Sequence, residues 1–304
     1  MVPWQKVAKI IAQNIKGDVK LTEPMARHTT WKIGGPAQIL AMPEDRESIR
    51  FLVEFANKEG FPYFVLGNGS NLLVTDKGYD GLVIKLGNNF ANYRVEGNII
   101  TVSAGMLLPQ LAQKALQHNL AGLEFVAGIP GSLGGAITMN AGAHGGSFHE
   151  LVECVEILTP EGEFKRFSSE DMDYGYRRSS IKGTKKIVIE ARLACREGNP
   201  TDIKARMDEL KRWRMEKQPL GEPNAGSVFK NPPGYSAGQL IDLAGLKGLT
   251  VGGAQISTKH ANFIVNKGYA TANDVLEIIE RVQHSVQLKS GIELEPEVLV
   301  LGKD

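Results

Sequence analysis

The sequence predicts an α+β fold in which a sheet-rich region is followed by a smaller domain of helices and strands. Short segments with strand-like alternation recur between residues 63 and 193. A break at Gly198-Asn199-Pro200 then leads into a long, highly charged segment with helical periodicity. The chain has 304 residues, more than one hydrophobic core usually serves. We therefore predict two domains, residues 1–200 and residues 201–304.

The first region contains two predicted helices among its strands. Residues 45–59 form one of them, with apolar residues on one face and Gly60 as its stop. Pro109 begins the other, whose apolar stripe ends at Leu116. The predicted strands are 63–66, 72–74, 82–84, 93–95, 99–102, 152–158, 164–167 and 187–193, with a hairpin turn at 96–98.

The second region has fewer strands and longer helices. Residues 202–217 form a charged helix with one apolar side, and residues 274–288 form an amphipathic helix. A short helix around 240–244, a strand at 262–265 and a last strand at 292–301 complete this unit. A length of about 100 residues is normal for one domain.

Composition excludes several functional classes. Lys and Arg number 35 against 34 Asp and Glu, so the net charge of +1 predicts neither a nucleic-acid nor a membrane partner. No apolar run approaches the roughly 18 residues of a membrane helix, and the start lacks a signal peptide, which predicts a cytoplasmic protein. The two cysteines form no CxxC pair and the six histidines no HExxH motif, so we predict no metal site. Nothing in the sequence indicates a protein partner.

A first glycine-rich loop is a candidate ligand site. Gly67-Asn68-Gly69-Ser70-Asn71 follows a predicted strand, and the backbone N–H groups of such a loop can hold a phosphate. Strand residues come next and no third glycine completes GxGxxG, which disfavours a Rossmann pocket. An ordinary β-turn also fits this loop when it is taken alone.

A second loop, Gly128-Ile129-Pro130-Gly131-Ser132-Leu133-Gly134-Gly135-Ala136, combines small residues with a rigid proline. Gly134, Gly135 and Ala136 would let the backbone approach a pyrophosphate, and Ser132 can donate a hydroxyl hydrogen bond. A tight crossing of two buried elements is the alternative. Two such loops in one sheet-rich region favour a dinucleotide held between subdomains.

Two polar residues outside the loops are candidates for binding or catalysis. Arg177 follows a turn-like segment, and its planar guanidinium suits a carboxylate or phosphate. Two adjacent arginines such as Arg177 and Arg178 are, however, more often part of a solvated surface. Ser227 stands in no GxSxG elbow and has no histidine near it in sequence. Nothing therefore indicates a Ser–His–Asp hydrolase, and a turn hydroxyl is the simpler interpretation of Ser227 alone.

The last predicted strand carries three carboxylates on one face, Glu293, Glu295 and Glu297. Glu297 is nearest to the apolar residues that continue this face, Leu299 and Leu301. A buried carboxylate must be paired, hydrogen-bonded or protonated, so Glu297 is the best functional candidate of the three. A position on the rim of an edge strand is the alternative.

Several further segments occur in a fixed order along the chain with these loops and residues. They are Arg27–Gly35, Asn140–Ala143, Tyr176-Arg177, Asn224–Pro232 and Leu294–Val298. Together they resemble the UDP-N-acetylenolpyruvoylglucosamine reductase family, flavoenzymes that complete UDP-N-acetylmuramate in peptidoglycan synthesis. The resemblance covers nearly the whole chain.

The resemblance implies a bipartite FAD-binding region with subdomains at about 1–82 and 83–200 and a substrate-binding domain at 201–304. FAD would be bound non-covalently, with its pyrophosphate between the two glycine loops. NADPH would reduce FAD and leave, and the enolpyruvyl UDP-sugar would then enter the same cleft. Hydride from flavin N5 and a proton would complete the lactyl ether.

The same resemblance implies roles for individual residues. Arg177 would stabilise negative charge on the substrate carboxylate and Ser227 would donate the proton. Glu297, if protonated or sharing a proton, would hydrogen-bond the same carboxylate. The residues implied to hold the substrate's carboxylate and phosphates are Tyr176, Arg214, Lys217 and Asn231.

One departure and three alternatives accompany this interpretation. Some members of the family carry an extra segment with a tyrosine after the Tyr-Arg motif, whereas only 179–195 precedes the domain break here, which indicates the shorter type. An alcohol or sugar oxidase of the same flavin-binding fold would keep both loops. A covalent flavin link through His28, His144 or His149 is a second alternative. A nucleotide-binding module without catalysis is the third, and it would not need Arg177, Ser227 or Glu297.

Overall fold

The computed structural model describes residues 2–302, which form two compact units. The first unit contains the residues up to Leu21 together with Ile39–Asn68 and Gly81–Trp213. The second unit contains Thr22–Gln38, Gly69–Asp80 and the residues from Arg214 onward. Each unit is therefore built from three separate stretches of chain.

Seven α-helices and four short 3-10 helices occur within residues 2–302. The α-helices are α1 (Trp4–Asn14), α2 (Arg46–Glu59), α3 (Leu108–Gln117), α4 (Leu133–Thr138), α5 (Pro200–Lys217), α6 (Ala237–Leu243) and α7 (Ala272–Ser290). The 3-10 helices are Met25–Arg27, Asn88–Phe90, Glu124–Val126 and Phe148–Glu150.

The strands fall into several small sheets. Their bounds are β1 (Gly17–Pro24), β2 (Pro36–Pro43), β3 (Tyr63–Leu66), β4 (Leu72–Val74), β5 (Tyr79–Lys85), β6 (Tyr93–Glu96), β7 (Ile99–Ser103), β8 (Leu120–Ala121), β9 (Gly142–Ala143), β10 (Gly146–Ser147), β11 (Val152–Leu158), β12 (Phe164–Ser168), β13 (Ile187–Ala194), β14 (Arg196–Glu197), β15 (Thr250–Val251), β16 (Ala254–Ile256), β17 (Ile264–Asn266) and β18 (Leu299–Leu301).

The first unit is organised around two sheets that share one hydrophobic core. One sheet has the strand order β1-β2-β5-β3, and the other, a five-stranded antiparallel sheet, has the order β12-β11-β13-β7-β6. The amphipathic helices α2 and α3 turn their apolar faces into this core, which holds Ile49 and Leu52 from α2 and Leu111 from α3.

The second unit has its own core, formed largely by the apolar face of α7 and the strands β15, β16 and β17. Trp31, from the segment before β2, is fully buried in this core, and its Nε1 donates a hydrogen bond to the carbonyl oxygen of Ile264 at 2.8 Å. Nδ2 of Asn266 donates in return to the carbonyl oxygen of Trp31 at 3.0 Å. These contacts explain why a segment so far from Arg214 in sequence belongs to the second unit.

The predicted helices and most predicted strands are confirmed, but the last strand is shorter than predicted. Only Leu299–Leu301 is a strand, paired in parallel with β4. Pro296 has no N–H to donate to a ladder, and Leu299 itself is 44% exposed. The period-two argument that placed Glu297 on an apolar strand face is therefore wrong. The elements α1, β1 and β2 are not among those the sequence predicts.

The division at residue 200 stays a prediction about functional domains. The compact units follow a different boundary, which falls between Trp213 and Arg214, inside helix α5. No helix within residues 2–302 has both the length and the apolar character needed to span a membrane.

Candidate active site

The two predicted glycine loops meet inside the first unit. A Cβ atom added to Gly67 would lie 2.1 Å from Oγ of Ser132, so the loop after β3 approaches the second loop at a distance that only glycine permits. Ser132 is buried, and a buried hydroxyl requires a hydrogen-bond partner. Small residues, a close backbone approach and a hydroxyl group are features that phosphate-binding loops share.

The sequence predicts a loop over the whole of 128–136, but the second half of this segment is helical in the structure. Helix α4 begins at Leu133, so Gly134, Gly135 and Ala136 are helical. The backbone N–H of Gly134 donates to the carbonyl oxygen of Ala104 at 2.9 Å. This helix packs directly against the chain that follows β7, which is why small residues are needed here.

The second half of the first loop belongs to the second unit. Gly69 has φ +65°, and a Cβ there would lie 2.1 Å from the carbonyl oxygen of His28. Nδ2 of Asn71 donates a hydrogen bond to the carbonyl oxygen of Glu297 at 3.0 Å. Asn71, predicted to bind cofactor together with Ser70, thus also holds the backbone of a predicted catalytic residue.

Tyr176 and Arg177 form the tip of a tight turn in the first unit. The turn is closed by reciprocal backbone hydrogen bonds of 3.1 Å between Gly175 and Arg178. Arg177 has φ +53°, a conformation that costs energy for any residue with a Cβ. Its guanidinium carbon lies 5.1 Å from the ring centroid of Tyr176, and Nη2 donates to the carbonyl oxygen of Gly142 at 3.4 Å. Backbone strain held by surrounding contacts is typical of functional sites.

Side chains outside the predicted site residues support this turn. Nδ2 of Asn140 donates to the carbonyl oxygen of Gly175 at 3.0 Å, and Oγ of Ser179 donates to the carbonyl oxygen of Thr138 at 2.6 Å. Nζ of Lys182 donates to the carbonyl oxygen of Arg177 itself at 3.0 Å. The only sequence signal for any of them was the position of Asn140 in one of the family-like segments.

Ser227 and Glu297 lie on neighbouring segments of the second unit. The N–H of Glu297 donates to the carbonyl oxygen of Val228 at 2.7 Å, and the N–H of Lys230 donates to the carbonyl oxygen of Glu295 at 2.9 Å. Ser227 is exposed and Glu297 is half-buried. The structure therefore places Ser227 and Glu297 on adjacent, hydrogen-bonded segments of the second unit.

Asn262 fixes the segment that follows Ser227. Its Oδ1 accepts a hydrogen bond from the N–H of Phe229 at 2.9 Å, and its Nδ2 donates to the carbonyl oxygen of Phe229 at 2.8 Å. The N–H of Asn262 donates to Nδ1 of His260 at 3.2 Å. Burial lowers the pKa of His260, which favours the neutral ring that this bond requires.

The predicted substrate-binding residues of the second unit differ in their burial and their hydrogen bonds. Nε of Arg214 and Oε1 of Gln218, one helical turn apart, are both buried without a hydrogen-bond partner among residues 2–302. Burial lowers the pKa of Arg214, so an anionic ligand would compensate for the loss of water. Lys217 is exposed, and Oδ1 of Asn231 accepts from the N–H of Ala237 at 3.0 Å.

The three histidines considered for a covalent flavin link all have other contacts. Nε2 of His28 lies 3.0 Å from Oε1 of Glu23, and Nδ1 of His149 lies 2.6 Å from Oγ of Ser147. His144 packs edge-on against Trp213, with ring centroids 4.6 Å apart.

Comparison with protein families identifies the class of protein. A model described as an FAD binding domain matches residues 37–168, a range that contains both glycine loops. A fold comparison with alkyldihydroxyacetonephosphate synthase gives a TM-score of 0.50 at 16% identity over 65% of this chain and 41% of that one, and shows a shared fold alone. The predicted α+β fold and the predicted FAD cofactor are confirmed, and the chain is an FAD-binding flavoprotein.

More similar proteins define the family. A model described as UDP-N-acetylenolpyruvoylglucosamine reductase, C-terminal domain, matches residues 218–301. The reductase of that name from Heliobacterium modesticaldum is 48% identical over 96% of this chain and 93% of its own length. The one from Caldanaerobacter subterraneus subsp. tengcongensis is 47% identical over 98% of this chain and all of its own.

A solved structure agrees with these sequences. The crystal structure of UDP-N-acetylenolpyruvylglucosamine reductase from Thermus caldophilus has a TM-score of 0.81 and 42% identity, covering 95% of this chain and 100% of that one. The chain belongs to the UDP-N-acetylenolpyruvoylglucosamine reductase family, as the sequence segments predicted. Ser227, Asn231 and Glu297 lie inside the matched C-terminal range, whereas Tyr176 and Arg177 lie outside both matched ranges.

Proposed function

We propose that this protein uses NADPH to reduce the enolpyruvyl group of UDP-N-acetylenolpyruvoylglucosamine, which yields UDP-N-acetylmuramate for peptidoglycan synthesis. The observation that carries this function is the 47% identity to a reductase of that name over 98% of this chain. We place the reaction in the cytoplasm, because NADPH and UDP-sugars are cytoplasmic metabolites. The substrate and NADPH are the partners that this function requires.

FAD is held non-covalently in this proposal, with its pyrophosphate at the two glycine loops. The close approach of Gly67 to Ser132 supports that position. When bound, FAD supplies the hydride chemistry, since it accepts a hydride from NADPH and supplies one to the terminal carbon of the substrate's vinyl group. The proposed cofactor-binding residues are those of 67–71, 128–132 and 134–136.

Arg177 stabilises the charge that this reaction creates. Hydride addition to the vinyl carbon leaves two electrons on the neighbouring carbon, and these delocalise into the substrate carboxylate as an enediolate. A guanidinium held in a fixed orientation stabilises such charge without reorganising during the reaction. The closed turn and its hydrogen bonds to Gly142 and Lys182 support this role.

Glu297 and Ser227 complete the reduction. A protonated Glu297 donates a hydrogen bond to the same carboxylate oxygens. Ser227 donates its hydroxyl proton to the carbon next to the carboxylate, and solvent returns a proton to the serine. A positioned general acid typically contributes about 10²–10⁴-fold to the rate.

The remaining polar residues bind the UDP-sugar in this proposal. Arg214 carries the strongest support, because its buried Nε has no partner among residues 2–302 and an anionic phosphate would provide one. The other substrate-binding residues are Tyr176, Lys217 and Asn231.

Replacing Ser227 by alanine tests the proposed function and separates the two half-reactions. We expect Ser227→Ala to leave flavin reduction by NADPH near the wild-type rate, since no proton from Ser227 is needed there. Flavin reoxidation by the enolpyruvyl UDP-sugar should slow by about 10²–10⁴-fold. Anaerobic stopped-flow absorbance at the oxidised-flavin band measures both rates.

Ser290→Ala is the matched control, because Ser290 lies at the end of α7 and its Oγ donates to the carbonyl oxygen of Val286. It should leave both half-reactions unchanged. Equal losses of both half-reactions in Ser227→Ala would count against Ser227 as the proton donor.

A further inference from the structure

We propose that Asn140 is a positioning residue for Arg177: its side-chain amide holds the turn that presents this arginine to the substrate. The inference rests on the role proposed for Arg177 above. It assigns a function to a buried polar side chain that is neither a proposed ligand of FAD nor part of the proton transfer.

The turn at Tyr176–Arg177 needs support from outside. Its own closure consists of the two backbone hydrogen bonds between Gly175 and Arg178. Arg177 adopts φ +53°, which a side chain with a Cβ keeps only where surrounding contacts determine the conformation. An arginine presented from such a turn changes direction if the base of the turn moves.

Asn140 holds the base of this turn. Nδ2 of Asn140 donates to the carbonyl oxygen of Gly175, the residue immediately before the tip, at 3.0 Å. Oδ1 of the same amide accepts from the N–H of His149 at 3.1 Å. Asn140 is only 7% exposed and itself has φ +43°, a conformation that asparagine tolerates better than most residues. One side chain therefore connects the turn to a second, separate segment.

Neighbouring contacts show that the whole of 138–142 lies along the turn. Oγ of Ser179 donates to the carbonyl oxygen of Thr138, and Nη2 of Arg177 donates to the carbonyl oxygen of Gly142. In both of these bonds the segment 138–142 offers only its backbone. Of the three contacts between this segment and the turn, only the one made by Asn140 uses a side chain of the segment, so it alone depends on which residue stands there.

A positioning role and a purely structural role predict different effects of substitution. The contact with His149 serves the chain beyond β10, whereas the contact with Gly175 serves the turn. Asn140→Asp keeps an acceptor for the N–H of His149 but replaces the donor to Gly175 with a carboxylate oxygen. Asn140→Gly removes both contacts and is compatible with the positive φ, so it provides a second variant if the aspartate does not fold.

The experiment measures both half-reactions of the FAD-loaded variants under anaerobic conditions. We expect reduction by NADPH to stay within about twofold of wild type in Asn140→Asp and Asn140→Gly. Reoxidation by the enolpyruvyl UDP-sugar should slow by about 10- to 100-fold, the effect of a misplacement of about 1 Å in a catalytic group. Asn57→Ala, which removes an exposed hydrogen bond of 2.8 Å to Pro160, is the control and should change neither rate.

Arg177→Ala separates failure of this inference from failure of the proposed function. If Arg177→Ala leaves reoxidation unchanged, the role proposed for Arg177 is wrong and the inference falls with it. If Arg177→Ala slows reoxidation but both Asn140 variants match wild type, or slow the two half-reactions equally, only the inference is overturned. The double variant Asn140→Asp/Arg177→Ala should reoxidise no more slowly than Arg177→Ala alone, because coupled residues are not additive.

Discussion

Because Gly67 has no Cβ, the start of the first glycine loop can contact the second loop within the first unit. The nearest obstacle to a Cβ at this position is Oγ of Ser132 at 2.1 Å, with Cβ of Ser132 at 3.3 Å. Ser132 is buried in a packed core and has little room to withdraw. The constraint at Gly67 is therefore steric and involves one identified neighbour.

Gly67→Ala tests this constraint. We expect a loss of about 1–3 kcal/mol in the free energy of unfolding from overpacking, together with weaker retention of FAD. Ser132→Ala removes the closer of the two atoms, so the double variant should be less destabilised than the sum of the two single variants. Denaturant unfolding and the flavin absorbance after gel filtration measure the two effects.

Gly87→Ala serves as the control for glycine replacement itself. A Cβ there meets only the end of the Lys85 side chain, at 3.8 Å. Additive effects of Gly67→Ala and Ser132→Ala, or a Gly67→Ala protein as stable as Gly87→Ala, would show that the two loops do not constrain each other.

Some single residues of the site could be predicted from the sequence and others could not. The glycines of the first loop were predictable, because turns and close approaches leave a local pattern. Asn140 and Asn262 were not, since each acts on a carbonyl group more than 30 residues away, 35 residues for Asn140 and 33 for Asn262. A lone asparagine has no periodicity, and its partner is defined only once the chain has folded.

At the scale of elements, the helix α7 was predictable because caps and periodicity agree. Thr271 and Asp274 form a capping box, and Gly291 ends the helix in the left-handed conformation with φ +71°. The segment 292–298 was predicted wrongly because alternation alone does not make a strand. Pro296 interrupts this segment. The backbone groups of its neighbours Glu295 and Glu297 form hydrogen bonds with Lys230 and Val228 instead.

Asp274→Ala tests the capping box. Burial by itself would raise the pKa of Asp274, but hydrogen bonds from the N–H groups of Thr271 and Gly253 outweigh it and lower that pKa below its ordinary value of 3.8. We expect the substitution to cost about 1 kcal/mol at neutral pH. Glu280→Ala, on the exposed side of the same helix, should change stability little.

The pH dependence of this effect follows from the direction of the shift. A carboxylate whose pKa is lowered by folding stabilises the protein above its unfolded value and loses that contribution as the pH falls through its folded value. The gap in stability between wild type and Asp274→Ala should therefore be constant at neutral pH and narrow below pH 3.8. A gap that widens in acid, measured by denaturant unfolding, would contradict the capping role.

At the scale of the whole molecule, each unit draws on distant parts of the sequence. Thr22–Gln38 and Gly69–Asp80 belong to the second unit, although the sequence places them among elements of the first. Trp31 anchors the first of these segments through its burial and its hydrogen bond to Ile264. Composition and periodicity predict an α+β chain with a charged helix between its two regions. They do not indicate which of the two hydrophobic cores Trp31 joins.

One protein carries both halves of a flavin-dependent reduction in this account of its function. The most direct test is the visible spectrum of the FAD-loaded protein under anaerobic conditions, with NADPH added first and the enolpyruvyl UDP-sugar second. We predict that the oxidised-flavin band bleaches on the first addition and recovers on the second, with UDP-N-acetylmuramate as the product. Recovery only after air is admitted would contradict the claim and indicate an oxidase of the same fold.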